Sequence, residues 1–387
     1  MQALLSRAHS ALRSVNDKDL PMFIRIGLAA AMTATILAAC GGGGGDGGSS
    51  GSASNSGVQT TSVKVVGDSL NDSGTFGFKF TVQGTPPYPI WTERVAASVA
   101  APALCPRYSA AGGAPALNPA ATACTSYGVG GAAINPRDAA NDNTPLSIVQ
   151  QLKDLRTQSL YKPEELLLVD GGGNDLAYLA EDYAKALLLD GGTAFNALTG
   201  ELILADEKIG LTRDEIGNLY VTRLADLLVD TLLSEALNRD AQRIAVITAP
   251  DVARTPRFVQ SLAIAELLNP PAAAQIKLAV PQWVKTFNNQ LKTRLGIQSR
   301  VVLVDFYAEF NKWLDTPATY GLTNTTQPAC PGNIATCTDT SLSAVQGKSS
   351  PDWWKTYVFS DNFHGTPRTN ELMGELVVKA LEAKGWK

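Results

Sequence analysis

Three short stretches of the chain carry side chains that could do chemistry together. In VVGDSLNDSG, Val65–Gly74, a β-branched run stops at a glycine and is followed at once by an acid and Ser69. A hydroxyl therefore stands where a strand gives way to a turn. In DGGGND, Asp170–Asp175, an apolar run ends in glycines and in Asn174, whose amide can donate hydrogen bonds. In SDNFHGTP, Ser360–Pro367, His364 follows Asp361 by three residues, so the carboxylate can take the imidazole Nδ1–H from within one turn. The chain has two histidines, His9 and His364, and the first lies in an N-terminal segment read below as a leader. A hydroxyl nucleophile, a base for its proton, an acid to orient the base and an amide donor are what acyl transfer needs. Alone, each stretch has a plainer reading: a strand exit, a glycine-rich turn, a His-Gly surface turn.

The elements around them decide whether these parts can meet. SVKVVG (62–67), ELLLVDGGG (165–173), RIAVITAP (243–250) and RVVLVDF (300–306) are short apolar runs ended by Gly, Asp or Pro, the pattern of buried parallel strands. SYGVGG (126–131) is weaker and reads either as a fifth strand or as the exit of one. Between them lie helical patterns. TPLSIVQQLKDLRTQSL begins with Thr144 as an N-cap and Pro145 at the first helical position, and residues 218–240 and 272–295 are strongly helical. The Thr-Pro start recurs at Thr366 and Pro367, ahead of a helix ending near Gly385. Strands alternating with helices predict a parallel sheet covered on both faces, with the ligand site beyond the carboxyl ends of its strands. Ser69, the Gly130-Gly131 pair and Asn174 stand at three such ends. Asp68 reads as a structural hydrogen-bonding residue, Asn71 and Asp72 as turn formers, and Trp353 and Trp354 as packing residues in a long irregular segment.

GDSLNDSG, GGND and the late D-x-x-H, in this order, resemble the SGNH, or GDSL, hydrolase family of esterases and lipases over roughly Val63–Gly385. The resemblance implies a three-layer, flavodoxin-like α/β fold with a parallel sheet of about five strands. It implies Ser69 as nucleophile, His364 as general base and Asp361 as its orienting acid. The oxyanion donors would be the Ser69 N–H, the Asn174 amide and a glycine N–H in SYGVGGA, Gly131 ahead of Gly130. The expected reaction is hydrolysis of a small-molecule or lipid carboxylic ester through an acyl-enzyme, with no cofactor. Acyl transfer to an alcohol at the same site, and a non-catalytic surface binding module on the same fold, are the alternatives. Family members often carry proline directly after the histidine; here Gly365 and Thr366 intervene before Pro367. No H-E-x-x-H or His/Cys cluster suggests a metal.

The N-terminal region reads differently from the body. MFIRIGLAAAMTATILAAC, Met22–Cys40, has a basic residue, an apolar stretch short for a bilayer span and small residues before a cysteine. Its end, LAAC, resembles a bacterial lipobox, which implies cleavage before Cys40 and acylation of that thiol. Gly41 in place of aspartate implies sorting to the outer membrane. The expected organisation is a leader over 1–39, with Met22 as an alternative start, an acylated Cys40 and Gly/Ser-rich tether over 40–60, and a hydrolase domain over 61–387. As a flexible coil, GGGGGDGGSSGSASNSG would reach ~25 Å. Loss of residues 1–39 takes the net charge from −4 to −6, the wrong sign for a nucleic-acid partner. With Cys40 assigned to the anchor, four cysteines remain in an exported body, where two disulfides are expected. The near-neighbour pairs Cys105–Cys124 and Cys330–Cys337 are favoured among three connectivities.

Overall fold

The computed structural model describes residues 58–387 apart from Pro331; the segment read as a leader, Cys40 and the expected tether up to Gly57 lie outside the described residues, while Thr60, placed in the tether by the sequence, is buried with its hydroxyl donating to the Trp386 carbonyl. Four β-branched or leucine-rich runs form the sheet: β1 (Ser62–Val66), β2 (Glu165–Val169), β3 (Ile244–Ile247) and β4 (Val301–Val304). All pair in parallel in the spatial order β1-β2-β3-β4, with Val66 opposite Val169 and Val169 opposite Val246. The weak run at 126–131 is no regular strand. It follows the outer edge of β1 through Val65 N–H to the Thr125 carbonyl, Tyr127 N–H to the Val65 carbonyl and Val129 N–H to the Gly67 carbonyl, with one parallel bridge at Ser126. Glycines at 128, 130 and 131 give it little side chain to pack, so the ladder stops. Counted in chain order, the spatial sequence is second, first, third, fourth, fifth, the flavodoxin-like arrangement whose switch point lies beside the first strand.

The helices around the sheet include α1 (Trp91–Ser98), α2 (Ile148–Gln158), α3 (Gly173–Leu188), α4 (Arg213–Glu235), α6 (Pro270–Leu295), α7 (Phe306–Asp315) and α8 (Pro367–Ala383), with α5 (Pro256–Leu268) packed on the outside of α6. Alternation along the strands divides the core. Val66, Leu167, Val169, Ile244 and Val246 pack with α2, α3, α4 and α6 on one face, while Val63, Val65, Leu166, Leu168 and Ile247 pack with α1, α7 and α8 on the other. Helix α8 starts as its sequence predicts, with the Thr366 hydroxyl accepting from Thr369 N–H and Pro367 in the first turn. Helix α2 starts later than expected, at Ile148, capped by Ser147 rather than Thr144. The cause is tertiary: Ala133 N–H donates to the Leu146 carbonyl and Ile148 N–H to the Ala133 carbonyl, so Ser147 is held in a parallel bridge to Ala133, and the Thr144 carbonyl closes a turn by accepting from Ser147 N–H instead of starting the helix.

Both expected disulfides are present, Cys105–Cys124 and Cys330–Cys337. The second is buried with Val82, Leu342, Trp353 and Trp354 in a third, small apolar cluster, so the paired tryptophans are packing residues. The Cys105–Cys124 bridge closes the longer loop, with a separation of 19 residues, beside the chain that edges β1. Replacing both of its cysteines by serine should lower unfolding free energy by about 3 kcal/mol in urea titration. A midpoint equal to the parent's would show that the bridge contributes nothing.

Candidate active site

The exit of β1 is shaped by one close approach. Gly67 has φ +149°, and a Cβ there would lie 1.6 Å from the Asp170 Oδ1 atom at the exit of β2. Only glycine allows the two exits to touch. The Gln151 side chain on α2 then clamps Gly67, accepting from its N–H at 2.8 Å and donating to its carbonyl at 2.9 Å. Asp68 N–H donates to Asp170 Oδ1 at 3.0 Å, and the Asp68 carboxylate accepts from Leu70 N–H at 2.9 Å. The chain is thus fixed immediately before and after Ser69.

Ser69 sits beneath the loop that enters α8. Its Oγ lies 2.8 Å from His364 Nε2, a contact between residues 295 positions apart. On the other side of the ring, His364 Nδ1 lies 2.7 Å from Asp361 Oδ2, while Asp361 Oδ1 accepts from the N–H groups of Phe363 and His364 at 2.8 and 2.6 Å. Burial opposes the charge on Asp361. The hydrogen bond from His364 and the two backbone donors outweigh it and hold the carboxyl below its ordinary range. The Gly-Thr insertion before Pro367 is accommodated because the Gly365 carbonyl accepts from the hydroxyls of Thr81 and Ser360, at 3.0 Å each. Ser360 N–H also closes the turn on the His364 carbonyl at 2.7 Å.

The donors converge from three strand exits. Gly131, with φ +82°, turns into the cleft; among the described residues neither its N–H nor that of Ser69 has an acceptor within the chain. Gly130 N–H is already engaged, donating to Asp72 Oδ2 at 2.8 Å, which leaves Gly131 as the available glycine. Asn174 lies in the first turn of α3, where Gly172 is the N-cap, so it does not cap the helix. One N–H of its amide is held by the Ala132 carbonyl at 2.9 Å, beside Gly131, leaving the other for a ligand. The cleft above these groups is about 430 Å³ and is walled by Phe80, Tyr178, Arg257, Asn362 and Phe363. The Phe80 ring packs 5.0 Å from the His364 ring, and Phe76 and Phe78 stack behind it.

A serine hydroxyl on an imidazole, a carboxylate behind the imidazole and three unspent N–H donors in front of the serine are the parts of an acyl-transfer site. The model of the GDSL-like Lipase/Acylhydrolase family matches residues 63–377. The chain belongs to this family. Comparison with curated proteins finds no match. The family places the chain among acylhydrolases in the broad sense, hydrolases or transferases of acyl groups.

Several contributors to the site escape a reading by motif. Asp72 is more than a turn former: besides accepting from the N–H groups of Gly74 and Thr75, it reaches across to Gly130 and sets the donor loop. Gln151 is visible in retrospect as a polar residue on the otherwise apolar face of α2, beside Ile148, Leu152 and Leu155. Asp175 is fully buried and accepts from Ile134 and Asn135 N–H at 3.0 and 2.8 Å, tying the chain after Gly131 to α3. Asp170 had no motif of its own, and Phe80, Tyr178 and Arg257 lie far from the quoted stretches.

The buried acids give a pH signature. Burial, then the neighbouring Asp68 charge, raises the pKa of Asp170 well above the usual carboxylate range, and Asp170 donates to Asp68, which burial also raises. Burial pushes Asp175 up to about 7. Between about pH 4 and 7 the folded chain therefore keeps protons that the unfolded chain releases, so these groups lose stabilising effect as pH rises through that window. In Asp170→Asn the amide can reproduce both bonds of the protonated acid. Its melting temperature should fall less steeply than the parent's from about pH 5 to about pH 8; parallel curves would contradict the shared-proton account.

Proposed function

We propose that this chain is a serine esterase that hydrolyses carboxylic esters through an acyl-enzyme intermediate and works at the cell envelope. The observation that carries the reading is the continuous path Asp361–His364–Ser69, with 2.7 and 2.8 Å contacts, facing free N–H groups of Ser69, Gly131 and Asn174.

In this account Ser69 Oγ attacks the ester carbonyl carbon while its proton passes to His364 Nε2. The carbonyl oxygen becomes an oxyanion held by the Ser69 and Gly131 N–H groups and the second N–H of Asn174. Asp361 fixes the tautomer that leaves Nε2 free to accept and stabilises the imidazolium. Collapse of the tetrahedral species breaks the bond to the alcohol, which leaves with the proton from Nε2. Water then gives its proton to the same nitrogen, attacks the acyl carbon, and the acid departs as the proton returns to Ser69. Side chains of His364 and Asp361 that are 15% and 22% exposed give water access to the base, which favours hydrolysis over transfer to another acceptor.

Envelope anchoring rests on LAAC and the Gly/Ser tether in the sequence. The test of the anchor is intact mass. Mature wild-type protein should carry acyl chains at Cys40 that Cys40→Ser lacks, and an unmodified mature N-terminus in wild type would refute it.

For the chemistry, Ser69→Ala should lower kcat on p-nitrophenyl esters by about 10⁶, and Asn174→Ala by about 10²–10³ with little change in KM. Each variant should melt close to the parent. Substantial turnover in Ser69→Ala would remove the serine from the role; a normal kcat in a destabilised Asn174→Ala would reduce that asparagine to a structural bond with the Ala132 carbonyl.

A further inference from the structure

Helix α5 presents an unusual outer face. Its inner side, with Pro256, Phe258, Leu262 and Ala265, turns to the body, as expected of a helix packed on α6. The side turned to solvent carries large aliphatic side chains as well. Val259 is 53% exposed, Ile264 59%, Leu267 87% and Leu268 66%, with the exposed Ala263 among them; Gln260 and the half-buried Arg257 lie within that arc, and the exposed Ser261 and Glu266 flank it. The outer side of a surface helix is normally polar, so large aliphatic side chains on both sides of one helix mark a face that something else covers. Four of the fifteen large hydrophobics exposed among the described residues fall within this one element, a concentration that scattered surface residues do not produce.

The same helix borders the catalytic cleft. Arg257, its second residue, lines the cleft and sits over the Phe363 ring at 5.5 Å, and its N–H donates to the Asn362 carbonyl at 2.9 Å, one residue past Asp361. Beneath α5 lies a small apolar pocket of about 40 Å³ between α3 and α6, lined by Ala177, Ala180, Leu262 and Ile276 and sharing Arg257 and Phe363 with the cleft. An apolar ridge, an apolar pocket and the catalytic serine are therefore contiguous.

We infer that the outer face of α5 is a docking surface for a phospholipid bilayer, inserting Val259, Ile264, Leu267 and Leu268 so that the cleft meets esters held in the membrane surface. The face suits lipid better than a second copy of the chain. It offers no exposed aromatic anchor of the kind protein interfaces concentrate, and its one arginine, Arg257, is paired with Glu181 at the cleft. Its four aliphatic residues expose on the order of 450 Å², well short of the ~800 Å² per partner that a stable dimer buries. At 13 residues, α5 is about 20 Å long and too short to span, so it lies in the interface. The 17 residues between Cys40 and Val58, on the anchoring proposed above, would hold the body at a root-mean-square distance of about 25 Å from a bilayer. The insertion is apolar and the chain is net negative, so zwitterionic lipid suffices. That docking delivers substrate rests on the esterase reading; the docking face itself does not.

The test uses the chain from Gly41 onward, which lacks the acylation site, with phosphatidylcholine vesicles. Wild type should co-sediment with the vesicles, and added salt should not release it. Ile264→Gln/Leu267→Gln/Leu268→Gln should bind at least about tenfold more weakly, with an unchanged melting temperature and unchanged hydrolysis of a water-soluble p-nitrophenyl ester. If the triple variant melts lower, Leu267→Gln, at the most exposed position, provides the same comparison. Absence of binding by wild type, or equal binding by the variants, overturns the inference. So does a concentration-dependent dimer abolished by the triple variant without vesicle binding, which would give the face to a second copy. Vesicle binding that depends on these residues in a chain hydrolysing no ester keeps the docking face and removes the esterase reading instead.

Discussion

The site depends on how closely two parallel strands can end beside each other. Gly67 and Asp170 follow β1 and β2, and the Asp170 carboxyl fills the space that any side chain at 67 would need. That approach lets Asp68 N–H reach Asp170 and fixes the turn carrying Ser69. It also sets the distance from Ser69 to α3, which starts just after Asp170 and carries Asn174. The cost is a pair of carboxyls in a fully buried place, tolerable because one keeps its proton and donates it to the other.

Around this fixed point the remaining groups are brought in by backbone hydrogen bonds to side chains. Asp72 draws the Gly130-Gly131 turn toward the serine, and Asp175 ties the chain just beyond it to α3. Gln151 holds Gly67 from the other side of the sheet edge. His364 comes from the opposite end of the chain, on a turn closed by Ser360 and Thr81. Each of these side chains is buried or half-buried and finds a partner there, so the site is held in place before any ligand arrives.

The strands that position the site were readable because each is a short apolar run with a punctuating residue at its end. Ser69, Asn174 and the Asp361–His364 pair were readable because their residue types recur in one order. The edge run at 126–131 read as a strand or the exit of one and forms a bridge, since pairing there is limited by glycines whose role is to turn the chain. Thr144 read as a cap because Thr-Pro is a local signal; the pairing of Ala133 with the residues ahead of α2, which displaced it, is a long-range one. Asp170 and Asp72 were legible only as parts of motifs, because their partners, 102 and 58 residues away, are set by the fold. The outer face of α5 was hidden for a related reason: apolar periodicity marks a helix but does not say which side the body covers.

The central claim is that Ser69 is made nucleophilic by His364 and Asp361. The most direct measurement is covalent: incubation with an alkyl fluorophosphonate, followed by intact mass and peptide mapping. The account predicts one adduct per chain, at Ser69, with labelling slowed at least about a hundredfold in His364→Ala. An adduct at another residue, or labelling of Ser69 at an undiminished rate without the imidazole, would contradict it.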